Sequence, residues 1–435
     1  MQTAWNVAQD RASGATAPGL GIRNAYWGDW LLAGAFFLCP ADVWILIPGA
    51  LSWSDAFLLT AVLAYLIHVV TRGGGLHVPA FTVFAATLVV IAGVISSVNY
   101  PDTLSSINCL KFVLSLLVIP VTVMWCTAGR RQVIDWMLWA WLAGGCLSAL
   151  VAAFGKYGIS FLGLLDTGTI YGGRPSGLTY HANVFAYTSA LLIQVAIYVS
   201  VTSRTWFLRW AGLAAIALLI DGILISGSRG SLMAALVGGL AWLPNPFRGR
   251  VYRSELVIAS AGALAIGVTM LVVLFGDNPF ADATNALSRL LGNFGDVQAS
   301  NDAREAAARA AYDGFAAAPM FGQGFQYLRY AHNFALQLLR SGGLVGMAGL
   351  LLWWGGMGRS WWCLRDLASK NEDHRTVMLM QMFLAIALVV IANGFVEPLL
   401  TDRNGYIPFG LMLGLWLSPG FNPALPGAES ISQTN

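Results

Sequence analysis

Three arginines and one histidine of this 435-residue chain have surroundings suited to chemistry on a phosphate group. Arg174 lies in the stretch Tyr-Gly-Gly-Arg-Pro-Ser-Gly-Leu (171–178), and Arg229 lies in Ser-Gly-Ser-Arg-Gly-Ser (226–231) between two apolar runs. Arg304 and His332 belong to one long, less apolar segment. A guanidinium group binds phosphate oxygens in a bidentate manner, and an imidazole accepts protons near neutral pH. These residues therefore predict an anion-binding site with His332 as general base.

Each candidate also has a simpler structural explanation, which the sequence leaves open. Arg229 could form an ion pair with Asp221, because a cation at the centre of a membrane helix costs about 2.5–3.5 kcal/mol on insertion scales and seldom lacks a partner. Arg174 could simply face solvent in its loop. Arg340 lies about two turns inside an apolar run and also needs an internal partner.

His332 is followed by Asn333 at the start of an apolar run, where a histidine often acts only as a helix cap. Here it also ends the longest polar segment, close in sequence to several arginines, which favours a catalytic role. His181, followed by Ala182 and Asn183 at the start of another run, is a secondary candidate.

No metal or cofactor site is expected. The chain has no Asp-x-Asp pair, HExxH, GxSxG or P-loop motif. The acids outside the apolar runs on the same side as the arginines are dispersed: Asp277, Asp282, Asp296, Asp302, Glu305, Asp313, Glu397 and Asp402. The five cysteines form no CxxC pair and are expected to pack in the interior.

The composition predicts an all-α, polytopic membrane protein with one transmembrane domain over residues 1–435. Hydrophobic residues make up 57% of the chain and charged residues only 10%, against about 25% charged in ordinary soluble proteins. A net charge of +3 gives no reason to expect nucleic acid as a partner. Membrane lipids are the expected surroundings.

A transmembrane helix needs about 20 apolar residues, and this criterion predicts about twelve transmembrane helices. Pro40, Pro120 and Pro408 are expected to kink helices rather than end them. Because the first 25 residues lack a signal-peptide core, the first run is expected to stay in the membrane. The predicted spans are 28–47, 55–70, 78–98, 107–127, 133–155, 182–203, 207–226, 230–244, 255–275, 333–356, 376–394 and 405–418.

Arginine and lysine residues fall on alternate connecting segments, which places those segments and both termini in the cytoplasm by the positive-inside rule. The long segments 156–181 and 276–332 then lie on the other side. Within 276–332, Asp302 and Glu305 resemble a capping box and predict a helix over about 303–318, with Arg304 in its first turn. A cation there is disfavoured unless an anion binds. The tail 419–435 is expected to be loose.

Together these features predict a transferase that acts on a polyprenyl pyrophosphate carrier in a lipid-embedded cavity. Pyrophosphate is a good leaving group, so cleavage of the sugar–phosphate bond needs charge stabilisation by arginines more than a general acid. The attacking sugar hydroxyl needs a base, for which His332 is the candidate. A direct displacement of this kind inverts the anomeric centre.

The chain resembles the O-antigen ligase/polymerase superfamily. The resemblance rests on the Arg-Pro-Ser-Gly-Leu and Ser-Gly-Ser-Arg-Gly-Ser elements and on PMFGQGFQYLRYAHNFALQLLRSGGLVG (319–346), over roughly 170–350. It implies an O-antigen ligase of a Gram-negative inner membrane, with its site on the periplasmic side. Such an enzyme moves O-antigen from undecaprenyl pyrophosphate to the lipid A–core oligosaccharide. The family's essential positions then fall on Arg174, Arg229, Arg304 and His332, with Arg289 as a competitor for the loop position.

Other functions stay open at this point. An O-antigen polymerase would use the same donor with a growing glycan as acceptor. A protein-glycosylating relative is less favoured, because such proteins usually continue further after the last span. A secondary transporter belongs to a different class; transporters tend to have paired halves, whereas the two halves here look unlike.

Overall fold

The computed structural model describes residues 26–41, 43–47, 51–71, 77–156, 170–171, 174–242, 295–328, 332–397 and 400–417. The predicted span 255–275, the candidate Arg289 and the tail 419–435 lie outside these residues. The described residues are mostly helical, as the composition predicted. A backbone in a bilayer must satisfy its hydrogen bonds internally, and a helix does so.

The first half of the described chain contains α1 (Trp27–Leu38), the hairpin β1 (Ile45–Ile47) and β2 (Leu51–Ser52), α2 (Trp53–Thr71) and α3 (Ala80–Asn99). The next span combines α4 (Thr103–Val113), a π-helical turn (Leu114–Val118) and α5 (Ile119–Thr127). It is followed by α6 (Arg131–Lys156) and the short hairpin β3 (Ile170–Tyr171) and β4 (Arg174–Pro175).

The second half contains α7 (Ala182–Thr202), α8 (Trp206–Ser226), α9 (Arg229–Leu240) and the loop helix α10 (Gly295–Ala317). After a 3₁₀ turn (Phe325–Tyr327) come α11 (Phe334–Lys370) and α12 (His374–Gly394). A second 3₁₀ turn (Arg403–Gly405) leads into α13 (Ile407–Trp416).

Eight helices among the described residues are long and apolar enough to cross a bilayer. α1 and α9 are shorter apolar helices. The mostly helical architecture with several candidate membrane spans is confirmed, whereas the count of twelve spans stays a prediction. The first predicted span was wrong over its second half, because α1 ends at Leu38 and the chain then turns into the β1–β2 hairpin. Pro40 thus follows the end of a helix instead of kinking one.

α7 is the central helix of the bundle. Nearly all of its side chains are buried, and it packs against α6, α8, α9 and α12. Its buried Gln194 is hydrogen-bonded inside the protein, because the Gln194 Oε1 atom accepts a hydrogen bond from Trp242 Nε1 at 2.9 Å. Because neighbouring helices surround α7, their packing holds its N-terminus in place, and this N-terminus lies at the candidate site.

Two faces of the bundle are distinguished by their contacts. On the face called here the site face, α7, α9 and α11 begin while α8 and α12 end. On the opposite face, ion pairs join the starts of α1, α6 and α12. The three pairs are Arg130–Asp29 at 2.8 Å, Arg131–Asp373 at 2.9 Å and Arg375–Asp135 at 2.9 Å.

The loop helix differs from its prediction at the N-terminal end. It begins at Gly295, so Asp302 and Glu305 lie inside it and do not form a capping box. The Asp302 and Glu305 pattern predicted the wrong start because residues 295–301 contain no proline and are part of the same helix. Arg304 is therefore not in the first turn, and the expected macrodipole effect on it was wrong.

Candidate functional site

A buried carboxylate, Glu397, joins several of the predicted site residues. It follows the end of α12 and is 6% exposed. Its Oε1 atom accepts a hydrogen bond from Asn183 Nδ2 at 2.5 Å and lies 3.5 Å from Arg304 Nη2. Its Oε2 atom lies 3.6 Å from His332 Nδ1. Burial of a carboxylate is costly unless cations or hydrogen-bond donors surround it, and here both are present.

Arg174 is tied to the same cluster through Asn183. Its Nε atom donates to the backbone carbonyl of Ser226 at 2.5 Å, and its Nη2 atom donates to Asn183 Oδ1 at 2.8 Å. Arg174 therefore connects β4 with the end of α8 and the start of α7. Asn183 in turn bridges Arg174 and Glu397, so the arginine and the carboxylate are separated by one amide side chain.

Arg229 is the first residue of α9, immediately after the turn that follows Ser226. This helix start is linked to the end of α12, because Ser231 Oγ donates to Asn393 Oδ1 at 3.0 Å. The Asn393 carbonyl accepts from the Glu397 backbone N–H at 2.8 Å. A helix N-terminus and a guanidinium group both favour a bound anion.

His332 is 42% exposed, directly before α11, and its Nδ1 atom faces Glu397. A carboxylate at this nitrogen favours the tautomer with the proton on Nδ1, which leaves Nε2 free to accept one. Asn333 has a structural role, since its side chain caps α11 by accepting from the N–H groups of Ala335 at 3.0 Å and Leu336 at 3.1 Å.

His181 is the N-cap residue of α7, and its Nδ1 atom accepts from the Asn183 backbone N–H at 3.1 Å. Burial lowers the pKa of His181 below its ordinary value. The carboxylate of Glu397 acts to raise this pKa and the guanidinium of Arg174 acts to lower it, so burial decides the direction. His181 thus tends to be neutral, with its remaining nitrogen as a donor.

Some predicted residues lie away from the cluster. Asp221 is exposed on α8 with Lys156 as its charged neighbour. The guanidinium of Arg340 lies over the ring of Tyr327, 3.8 Å from its centroid, which supplies the internal partner that the sequence required. Among the described residues, no group of three or more His, Cys, Asp or Glu side chains could hold a metal ion.

Sequence reasoning missed Glu397 by treating it as one of several dispersed acids. No motif surrounds it. The available signal was positional, because Glu397 follows the end of an apolar run on the side that carries the unexplained arginines. Glu397 is far along the chain from Asn183, Arg304 and His332, so nothing in the sequence indicated that these residues lie close together in the fold.

The fold and the site define a class: a polytopic helical membrane protein with cationic side chains and a histidine around one buried carboxylate. Residues 214–351 match the family described as O-antigen ligase. The resemblance to that family is therefore confirmed, over the segment that carries Arg229, Arg304 and His332. The match supports an O-antigen ligase- or polymerase-type glycosyltransferase function in broad terms. No curated protein matches the chain.

Proposed function

We propose that the protein is an O-antigen ligase of a bacterial inner membrane. It transfers O-antigen polysaccharide from undecaprenyl pyrophosphate to the lipid A–core oligosaccharide on the periplasmic side. The observation that supports this best is Glu397, which lies within 3.6 Å of both Arg304 and His332 and reaches Arg174 through Asn183. A candidate base and two candidate phosphate ligands are thereby gathered at one place.

The arginines would bind the pyrophosphate of the donor. Arg174, Arg229 and Arg304 lie on three different elements around the site, and Arg289 stays a further candidate from the same loop as Arg304. Charge develops on the leaving phosphate oxygen as the sugar–phosphate bond breaks, and fixed guanidinium groups stabilise that charge without reorganising. This supplies the charge stabilisation without a metal ion.

His332 would act as the base. An acceptor hydroxyl loses its proton to Nε2 of His332 as its oxygen bonds to the anomeric carbon. The electrons of the breaking carbon–oxygen bond pass to the pyrophosphate. Glu397 holds the ring and stabilises the imidazolium that forms, as a carboxylate does in catalytic triads. Attack opposite the leaving group inverts the anomeric centre.

The test is His332→Ala, examined in a strain without the chromosomal gene and in membranes supplied with purified donor and acceptor. We expect transfer to fall by about 10²–10⁴-fold, the usual contribution of a general base, with normal protein abundance. His374→Ala, at the start of α12 on the opposite face, is the control. Transfer should continue in the presence of EDTA.

The lipopolysaccharide gel distinguishes the alternatives. A ligase defect removes the long-chain ladder and leaves polymer on its carrier. Core bearing a single repeat unit would indicate a polymerase instead. An intact ladder in the deletion strain would contradict both functions and return transport to consideration.

A further inference from the structure

The long helix α11 is interrupted inside the bundle at Gly343. This residue has φ 62° and ψ −160°, a conformation open essentially to glycine alone. In a continuous helix, the N–H groups of residues 344 and 345 would donate to the carbonyls of residues 340 and 341. The interruption removes both bonds and leaves four backbone groups that must find partners.

Residues 319–324, which follow α10, supply all four partners. Gln323 N donates to the Arg340 carbonyl at 2.7 Å and Gly324 N to the Ser341 carbonyl at 3.1 Å. In the other direction, Leu344 N donates to the Pro319 carbonyl at 2.9 Å and Val345 N to the Met320 carbonyl at 3.1 Å. The segment after the loop helix is therefore hydrogen-bonded into the gap of a membrane helix.

The end of this segment is fixed a second time by α4. Phe325 is fully buried, with its ring 6.4 Å from that of Phe112. Its backbone N–H donates to Ser105 Oγ at 2.9 Å, and its carbonyl accepts from Asn108 Nδ2 at 3.1 Å. Segment 319–325 thus has both its backbone and the side chain of Phe325 held by transmembrane helices.

α10 itself rests on α11 near the same place. Gly314 of α10 passes so close to Arg340 that a Cβ atom there would lie 2.9 Å from Arg340 Nε. The Arg340 guanidinium is in turn stacked on Tyr327. Arg304 lies on the same helix about 15 Å from Gly314, at 1.5 Å per residue. A change in the direction of α10 at Gly314 would therefore move Arg304 away from Glu397.

We propose that the break in α11 at Gly343 positions the loop helix α10 by binding residues 319–324; this break is called the socket below. Gly343, Gly314 and Arg340 are then positioning residues for Arg304. The hydrogen bonds of the socket fix where α10 ends, and the contact at Gly314 fixes its direction. The effect on transfer rests on the proposed function. The effect on the loop helix does not.

The experiment compares Gly343→Ala with Gly346→Ala in the full-length protein in phospholipid nanodiscs. A Cβ atom at Gly346 meets only ordinary contacts, the nearest at 3.6 Å, so this variant is a matched control on the same helix. We expect hydrogen exchange of residues 303–317 and 319–325 to become at least about tenfold faster in Gly343→Ala alone. Unchanged exchange in both variants would overturn the proposal.

A second pair of variants covers the case in which Gly343→Ala does not fold. Gly314→Leu places a large side chain against Arg340, while Ala310→Leu adds the same side chain at an exposed position one turn earlier. Gly314→Leu should raise the KM for the donor by about the same factor as Arg304→Ala. In the double variant, the two effects should not add, because both remove the same contact. Full additivity would contradict the positioning role.

The same data separate this proposal from the proposed function. If Arg304→Ala has no effect on donor use while Gly343→Ala still releases α10, Arg304 is not a pyrophosphate ligand but the socket is real. If Arg304→Ala weakens donor use and neither glycine variant alters exchange or KM, the socket does not position it.

Discussion

At the scale of single residues, the site depends on how one buried carboxylate is shared. Glu397 contacts His332 with one oxygen and Arg304 and Asn183 with the other. A neutral amide at this position keeps the shape and loses the charge. It would no longer favour the Nδ1–H tautomer of His332, and it would leave Arg304 without its counterion.

Glu397→Gln is therefore expected to lower the turnover of transfer by at least about tenfold, in the direction seen when a triad carboxylate becomes an amide. The measurement is the steady-state rate with saturating donor in reconstituted membranes. Glu305→Gln is the control, since Glu305 is an exposed acid on α10 that pairs with Arg309. Equal rates for the wild type and Glu397→Gln would remove the carboxylate from the mechanism.

The predicted arginines differ from ordinary cations in geometry as well as charge. Arg229→Lys and Arg304→Lys keep the charge and lose the planar fork that binds two phosphate oxygens. We expect each to raise the KM for the donor by about tenfold or more, close to the effect of alanine. Arg309→Lys is a matched control, because Arg309 lies on the same helix as Arg304 and is 76% exposed. Full activity of both lysine variants would mean that charge alone suffices.

The sequence indicated which residue types were unusual but not which of them meet. Arg174, Arg229, Arg304 and His332 were candidates because guanidinium and imidazole groups at these places suit anion binding and proton transfer, although each also had a simpler structural explanation. Arg174, Arg304 and His332 surround Glu397 in the structure, directly or through Asn183, while Arg229 starts the neighbouring helix. Glu397 and Asn183 could not be identified in this way, since their importance lies in contacts between residues far apart in the chain.

At the scale of elements, hydrophobic runs located the helices well and their interruptions poorly. The predicted spans coincide with α2, α3, α6, α7, α8 and α12 almost to the residue. The end of α1 before Pro40 and the gap at Gly343 were not predicted, because an apolar run gives the same signal whether its backbone is continuous or broken. The backbone groups that replace the hydrogen bonds lost at a break lie elsewhere in the sequence.

The start of α12 illustrates a cap whose stability depends on pH. Asp373 accepts from the Thr376 N–H at 3.1 Å and pairs with Arg131 at 2.9 Å. Burial acts to raise the pKa of Asp373, but the hydrogen bonds from Thr376 and the charge of Arg131 outweigh it, so the pKa is lowered. A lowered pKa means that this contact stabilises the fold above the usual carboxyl pKa and is lost as pH falls through the lowered value.

Asp373→Ala should therefore reduce the free energy of unfolding by about 0.5–2 kcal/mol at neutral pH, the usual value of a helix cap. The measurement is thermal unfolding in detergent at neutral pH and at pH values below about 4. The difference from the wild type should shrink progressively as the pH falls below about 4, because the wild-type carboxyl becomes protonated as the pH passes its lowered pKa. Glu372→Gln, at the adjacent position, should have little effect; a difference for Asp373→Ala that does not change with pH would contradict the electrostatic explanation.

At the scale of the whole molecule, the two faces differ in the use of their charges. On the opposite face, Arg130, Arg131 and Arg375 each pair with an aspartate and tie helix ends together. On the site face, Arg174 and Arg304 converge on Glu397 directly or through Asn183, and Arg229 begins α9 nearby. The positive-inside rule predicts that the opposite face is cytoplasmic, and the proposed reaction requires the site face to be periplasmic.

Reporter fusions test this orientation. Alkaline phosphatase, which folds only after export, should be active when fused after residue 317 at the end of α10 and inactive when fused after residue 371, between α11 and α12. A fluorescent protein that matures only in the cytoplasm should show the reverse pattern, and should also fluoresce after residue 417. The pattern follows from the arginines of the connecting segments, because short loops rich in arginine resist translocation. Phosphatase activity after residue 371 would show that the protein has the opposite orientation in the membrane. Glu397 and His332 would then be out of reach of a periplasmic acceptor.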